Sequence, residues 1–145
     1  MSSIAVAPLE SNAVTDRDVA AVNALVQEFR PGARPLSHAD LRVIATDTVL
    51  FIARNDDGRA VGMATLVVYR QTTALSGRVE DVIVTADYRG RGVGRLLMDA
   101  LIKAARTRRL DHLNLTSNPR RIAAHGLYRS LGFQTRDTTV FRLTL

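Results

Sequence analysis

Six consecutive residues, Arg89-Gly90-Arg91-Gly92-Val93-Gly94, place three glycines and two guanidinium groups between a β-rich run and an amphipathic run. Glycine has no Cβ, so such a stretch turns tightly and lets several backbone N–H groups approach a bulky phosphate, while a helix starting there adds its positive end. The chemistry this suits is a grip on a phosphorylated ligand. The dinucleotide fingerprint G-x-G-x-x-G does not fit, because the spacing here is G-x-G-x-G. A glycine-rich turn with solvated arginines is the plainer alternative. Covalent catalysis has little to work with: the chain has no cysteine and no convincing Ser-His-Asp set. His38, His112 and His125 show no spacing with carboxylates that suggests a metal, so none is expected.

Charge points to the same segment. The 145-residue chain carries a formal +6, yet Arg89 to Arg121 holds nine bases against two acids and the remainder is nearly neutral. That segment is expected to meet an anion. A nucleic-acid-binding module would use the same patch, but three tyrosines and four phenylalanines, none interleaved with the arginines, make a poor stacking surface. No nucleic acid is therefore expected as a partner. No apolar run approaches the roughly 20 residues of a membrane span, and Met1 to Glu10 lacks the basic start and apolar stretch of a secretion signal. The lack of cysteine permits a reducing compartment. These features predict a single domain over 1–145, with no membrane partner and a cytoplasmic location.

The elements that must position the turn can be read in order. Ser3 to Leu9 alternates as a first strand. A helix capped by Thr15 or Asp16 comes next, with Val19, Val22, Val26 and Phe29 facing the core and Arg30-Pro31-Gly32 stopping it. Ser37 and Asp40 form a capping pair for a short second helix bearing Leu41, Ile44 and Ala45. Thr48 to Arg54 and Ala60 to Tyr69 flank the turn residues Asn55 to Gly58 as a hairpin. Val79 to Thr85 is a third run, leading through Ala86-Asp87-Tyr88 into the glycines. Beyond them Val93, Leu96, Leu97, Ala100, Leu101 and Ala104 trace the stripe of a long helix. His112 to Thr116 reads as a strand, Asn118-Pro119 as N-cap and first helical residue, and Gly132 as the end of that helix. Phe133 to Arg136 and Thr138 to Leu143 are expected to close the sheet.

At these residues the chain resembles the GNAT family of acetyltransferases, whose acetyl-CoA signature is [Arg or Gln]-x-x-Gly-x-[Gly or Ala] after a strand. Arg89, Gly92 and Gly94 satisfy it. Gly77 to Val84 resembles the family's fourth strand and Ala123 to Phe133 its late helix, so the likeness runs from about Val49 to Leu143 with three motifs in order. The resemblance implies an α/β (α+β) fold: a mixed, mostly antiparallel sheet of six to seven strands with about four helices, splayed between the fourth and fifth strands. It also implies that acetyl-CoA is the cosubstrate and that the reaction is N-acetylation of a small amine, an amino sugar or its phosphate among the candidates, by direct attack in a ternary complex. Family members often dimerise, so the resemblance allows a homodimer. A catalytically silent acetyl-CoA-binding relative is the third reading, beside the enzyme and the nucleic-acid module.

Residue roles come from the same likeness. Backbone N–H groups of Arg89, Gly90, Arg91, Gly92, Val93, Gly94 and Arg95 would hold the CoA pyrophosphate, and those near Val82, Ile83 and Val84 would face the thioester carbonyl. Tyr128 stands four residues before Gly132-Phe133, where the family places a general acid. A phenol with a pKa of about 10 suits protonation of a departing thiolate. A helix tyrosine that simply packs its ring is the alternative. The family's usual CoA-contacting asparagine lies seven residues before that tyrosine, where this chain has Arg121. The cofactor contact thus falls to Asn118, which also reads as an N-cap, or to Arg121. The acceptor amine must lose a proton to a carboxylate or a water chain. Glu80 and Asp81 are the candidates; alternation puts them on opposite faces of the strand, and Glu80 is favoured.

Overall fold

The structure is a computed structural model that describes residues 2–145. It resolves into two compact units, Met1–Leu115 and Thr116–Leu145.

The first unit is a five-stranded sheet, β1 (Ala5–Pro8), β2 (Val49–Arg54), β3 (Ala60–Arg70), β4 (Leu75–Val84) and β5 (His112–Asn114), in sequential order. β1 to β4 are antiparallel neighbours, whereas β5 runs parallel to β4 because a helix, α3 (Val93–Thr107), carries the chain back between them. Helices α1 (Asp16–Phe29) and α2 (His38–Asp47) start at full capping boxes, Thr15 with Asp18 and Ser37 with Asp40, each cap worth about 1 kcal/mol. Their apolar stripe packs on one sheet face: Val22, Leu25 and Leu41 join Leu50, Ile52, Met63 and Ile83 in one core. α3 covers the opposite face with Val93, Leu97, Met98, Leu101 and Ala105. Gly62 lies close beneath that second layer, since a Cβ there would lie 3.1 Å from both Leu97 and Val93.

Two stripe assignments need correcting. Phe29, at the last position of α1, is 44% exposed, and Leu25 takes the core position one turn earlier. Leu96 is exposed as well, Met98 being fully buried in its place. Both predicted residues lie at the edge of their stripe, where helical spacing alone does not separate core from rim.

The second unit contains one helix, α4 (Ile122–Ser130). Asn118 does not cap it. Its Oδ1 accepts from the Arg120 N–H at 2.9 Å and its carbonyl from the Arg121 N–H at 3.0 Å, closing a turn, so the helix starts three residues later. The expected closing strands, Phe133 to Arg136 and Thr138 to Leu143, are also absent, and among the described residues the sheet has five strands rather than six or seven. Alternation marks residues able to half-bury a strand, but a strand forms only where a partner edge takes its N–H and C=O groups. Here no strand among the described residues pairs with 133–143, and Phe141 is 90% exposed.

Candidate functional site

β4 enters the site with a fault in its ladder. Thr65 pairs with Glu80 and Met63 with Ile83, so β4 spends three residues where β3 spends two. Asp81 takes up the excess with φ +51°, a left-handed conformation that carboxylate and carboxamide side chains tolerate better than others. The expected alternation therefore fails. Thr65 and Met63 are two residues apart and share a face, so Glu80 and Ile83 share it too, on the side of α1 and α2. Glu80 is engaged by the guanidinium of Arg78. The Asp81 carboxylate accepts no hydrogen bond among the described residues, and its pKa is raised above the ordinary aspartate value. Loss of hydration is the main cause and the neighbouring Glu80 adds to it, while Arg30 at the end of α1 opposes.

β5 pairs only with Ser76, Gly77 and Arg78, so from Val79 to Val84 only β3 pairs with β4 among the described residues. Val82, Ile83 and Val84 lie on this stretch, with Ile83 buried in the α1/α2 core. A short turn, Ala86–Tyr88, then leads to the glycines. Gly90 and Gly92 both have positive φ, +74° and +81°, with open space where a Cβ would stand. Gly92 is the N-cap of α3, and no side chain caps that end and no acid occupies its first turn. The first helical bond runs from Leu96 to Gly92 at 3.1 Å, which leaves the amides of Val93 and Gly94 without an intrahelical acceptor. The two arginines differ. Arg89 is held by the protein, its Nε donating to the Val84 carbonyl at 3.0 Å and its Nη2 3.5 Å from Glu28. Arg91 stacks on the Tyr88 ring at 4.9 Å.

In the second unit Tyr128 is 7% exposed and meets Phe133 edge-on, with ring centroids 5.9 Å apart. Burial raises its phenol above the usual value, against the charge and hydrogen bonding of Arg121. Arg121 thus lies beside the tyrosine, whereas Asn118 is occupied by its own turn. His125 Nε2 is 3.1 Å from the Ser117 hydroxyl. In the first unit His112 engages Ser76 and His38 the Val14 carbonyl. No group of three or more His, Asp or Glu side chains able to hold a metal occurs among the described residues, nor is any helix long and apolar enough to cross a membrane. A cavity of about 540 Å³ opens between Leu9, Thr48, Phe51 and Lys103 and includes none of the candidate catalytic or cofactor-binding residues.

Sequence reasoning missed Glu28. It accepts from the Thr85 hydroxyl at 2.7 Å and from the Ala86 N–H at 2.6 Å. Separated by 57 positions from Thr85, it carries no local signal of this role.

The model of the acetyltransferase (GNAT) family matches residues 19–133, and the chain belongs to that family. Among curated relatives it is 29% identical over 102 residues to a glucosamine 6-phosphate N-acetyltransferase of Trypanosoma brucei brucei, covering 68% of this chain and 67% of the relative. It is 34% identical over 86 residues to an L-methionine sulfoximine/L-methionine sulfone acetyltransferase of Pseudomonas aeruginosa, covering 59% of this chain but only half of the relative. Of solved structures, an acetyltransferase of Trypanosoma brucei superposes with a TM-score of 0.79 at 27% identity, covering 99% of this chain and 100% of the other. An aminoglycoside N-acetyltransferase in complex with CoA superposes at 0.80 with 19% identity, covering 99% and 96%, a likeness of fold.

Proposed function

We propose that the chain transfers the acetyl group of acetyl-CoA to the primary amine of a small molecule, an amino sugar or its phosphate being the leading acceptor class. The observation that carries this reading is the uncapped start of α3 behind two left-handed glycines. The amides of Gly90 to Gly94 without an intrahelical acceptor, a positive helix end and the space left by two missing Cβ atoms fit a diphosphate, and Arg91 adds charge. Acetyl-CoA, when bound, supplies an activated thioester. Gly90 to Arg95 bind its diphosphate, and the free edge of β4 at Val82 to Val84 offers N–H groups to the thioester carbonyl.

Asp81 is the group that takes the amine's proton. Its elevated pKa makes it a stronger base than an ordinary aspartate, and it has no hydrogen-bond donor to satisfy, whereas Glu80 is committed to Arg78. Glu80 acts on Asp81 through its charge. Tyr128 returns a proton to the departing thiolate, and Arg121 steadies the phenol oxygen. The family match crosses the boundary between the two units, which supports one catalytic domain over the whole chain. The named relatives favour the acceptor class: glucosamine 6-phosphate and methionine sulfoximine each join an amine to an anionic group. The test is CoA release from acetyl-CoA with a panel of amines that do or do not carry a phosphate or carboxylate. Turnover confined to anionic amines is the expected result; no turnover with any amine overturns the reading.

A further inference from the structure

We infer that Glu28 is a positioning residue for the acetyl-CoA turn, holding the strand exit that precedes the glycines from the last turn of α1; this rests on the acetyl-CoA reading above. One carboxylate meets three groups of the segment Thr85 to Arg89: the Thr85 hydroxyl at 2.7 Å, the Ala86 N–H at 2.6 Å and, at 3.5 Å, the guanidinium of Arg89. Both ends of the segment are thereby fixed. Thr85 is also tied to β3 through its N–H to the Val61 carbonyl at 2.9 Å, and Arg89 to β4 through Val84. On the other side the β2–β3 turn braces the middle: Arg59 holds Asp87 with two bonds of 2.7 and 3.1 Å, and Asn55 donates to the Tyr88 hydroxyl at 3.0 Å.

An ionised carboxylate is the side chain suited to a hydroxyl, an amide and a cation together, because it offers acceptor sites on two oxygens and donates nothing. The Thr85 hydroxyl bond first, and the Ala86 amide next, hold the Glu28 carboxyl below its ordinary value, so it stays charged at neutral pH. The turn is then ordered before the ligand arrives, and binding does not have to supply that ordering.

Isothermal titration of CoA into the wild type, Glu28→Ala, Glu28→Gln and Thr85→Val, with steady-state kinetics on each, tests this. Glu28→Ala is expected to weaken CoA about tenfold, as loss of charge-assisted bonds implies, and to raise KM for acetyl-CoA by the same factor with little change in kcat. Glu28→Gln keeps an acceptor for Ala86 and recovers part of the loss, and Thr85→Val loses less than Glu28→Ala. If Glu28→Ala does not fold, the other two variants decide. CoA affinity within twofold of wild type in every folded variant overturns the inference alone, as does a fall confined to kcat. Wild type that fails to bind CoA overturns the acetyl-CoA reading and this inference together.

Discussion

Asp81 combines an unusual backbone with an unusual carboxyl, and the two are separable by substitution. Its raised pKa means that the folded state favours the protonated form. Stability from this source is whole below the unfolded-state pKa and is lost as pH rises through the folded value, so at neutral pH the ionised group is a burden. Asp81→Asn keeps a side chain that accepts positive φ and removes the charge. It should therefore melt higher than wild type at pH 7, lose that advantage near pH 3, and be nearly inactive, a trade of stability for activity read by calorimetry and CoA release. Asp81→Val should instead melt lower, because a β-branched residue in the left-handed region costs of order 1–3 kcal/mol. Tyr128→Phe should lower kcat about 100-fold while CoA affinity stays within twofold, the scale of a lost general acid. Because burial raises the phenol, the alkaline limb of the wild-type kcat profile should lie above the ordinary tyrosine value.

What the chain makes legible at the level of elements is what is written locally. Ser37 caps its helix through Asp40, a pair readable from spacing, whereas the sequence leaves Thr15 and Asp16 both open and the structure selects Thr15, paired with Asp18. The glycine turn and its place before α3 are readable for the same reason. The β4 bulge is not, since Glu80-Asp81-Val82 looks like any alternating strand until β3 shows the mismatch. Asn118-Pro119 carries a helix-start signal that a turn uses instead, and 133–143 carries a strand signal with no partner among the described residues. Glu28 depends on a contact across half the first unit. Packing glycines are equally silent. A Cβ on Gly62 would come within 2.9 Å of the Ile83 carbonyl oxygen, backbone that cannot swing aside. Gly62→Ala should therefore destabilise by about 1–3 kcal/mol, visible as a lower midpoint in urea with an unchanged slope.

Across the whole molecule the charge excess has a testable reach. With nine bases between Arg89 and Arg121, acetyl-CoA should raise the melting temperature, by an amount equivalent to about 2.7 kcal/mol at roughly 100-fold excess over Kd. That shift should shrink as salt rises, because screening shortens from about 10 Å at 0.1 M to about 3 Å at 1 M. Differential scanning fluorimetry at the two ionic strengths would show it; an identical shift at both would mean that the arginines play no part in capture. The surplus residue in β4 reaches further still. Excising Asp81 would let the ladder run unbroken, with Glu80 still opposite Thr65 and Ile83 still opposite Met63, so the residues on either side of the cut would keep their faces. Such a deletant is expected to fold around a smoother sheet with Glu80 still on the side of α1 and α2 and to lack only the carboxyl that the extra residue brings, so irregular pairing here adds a side chain without turning its neighbours.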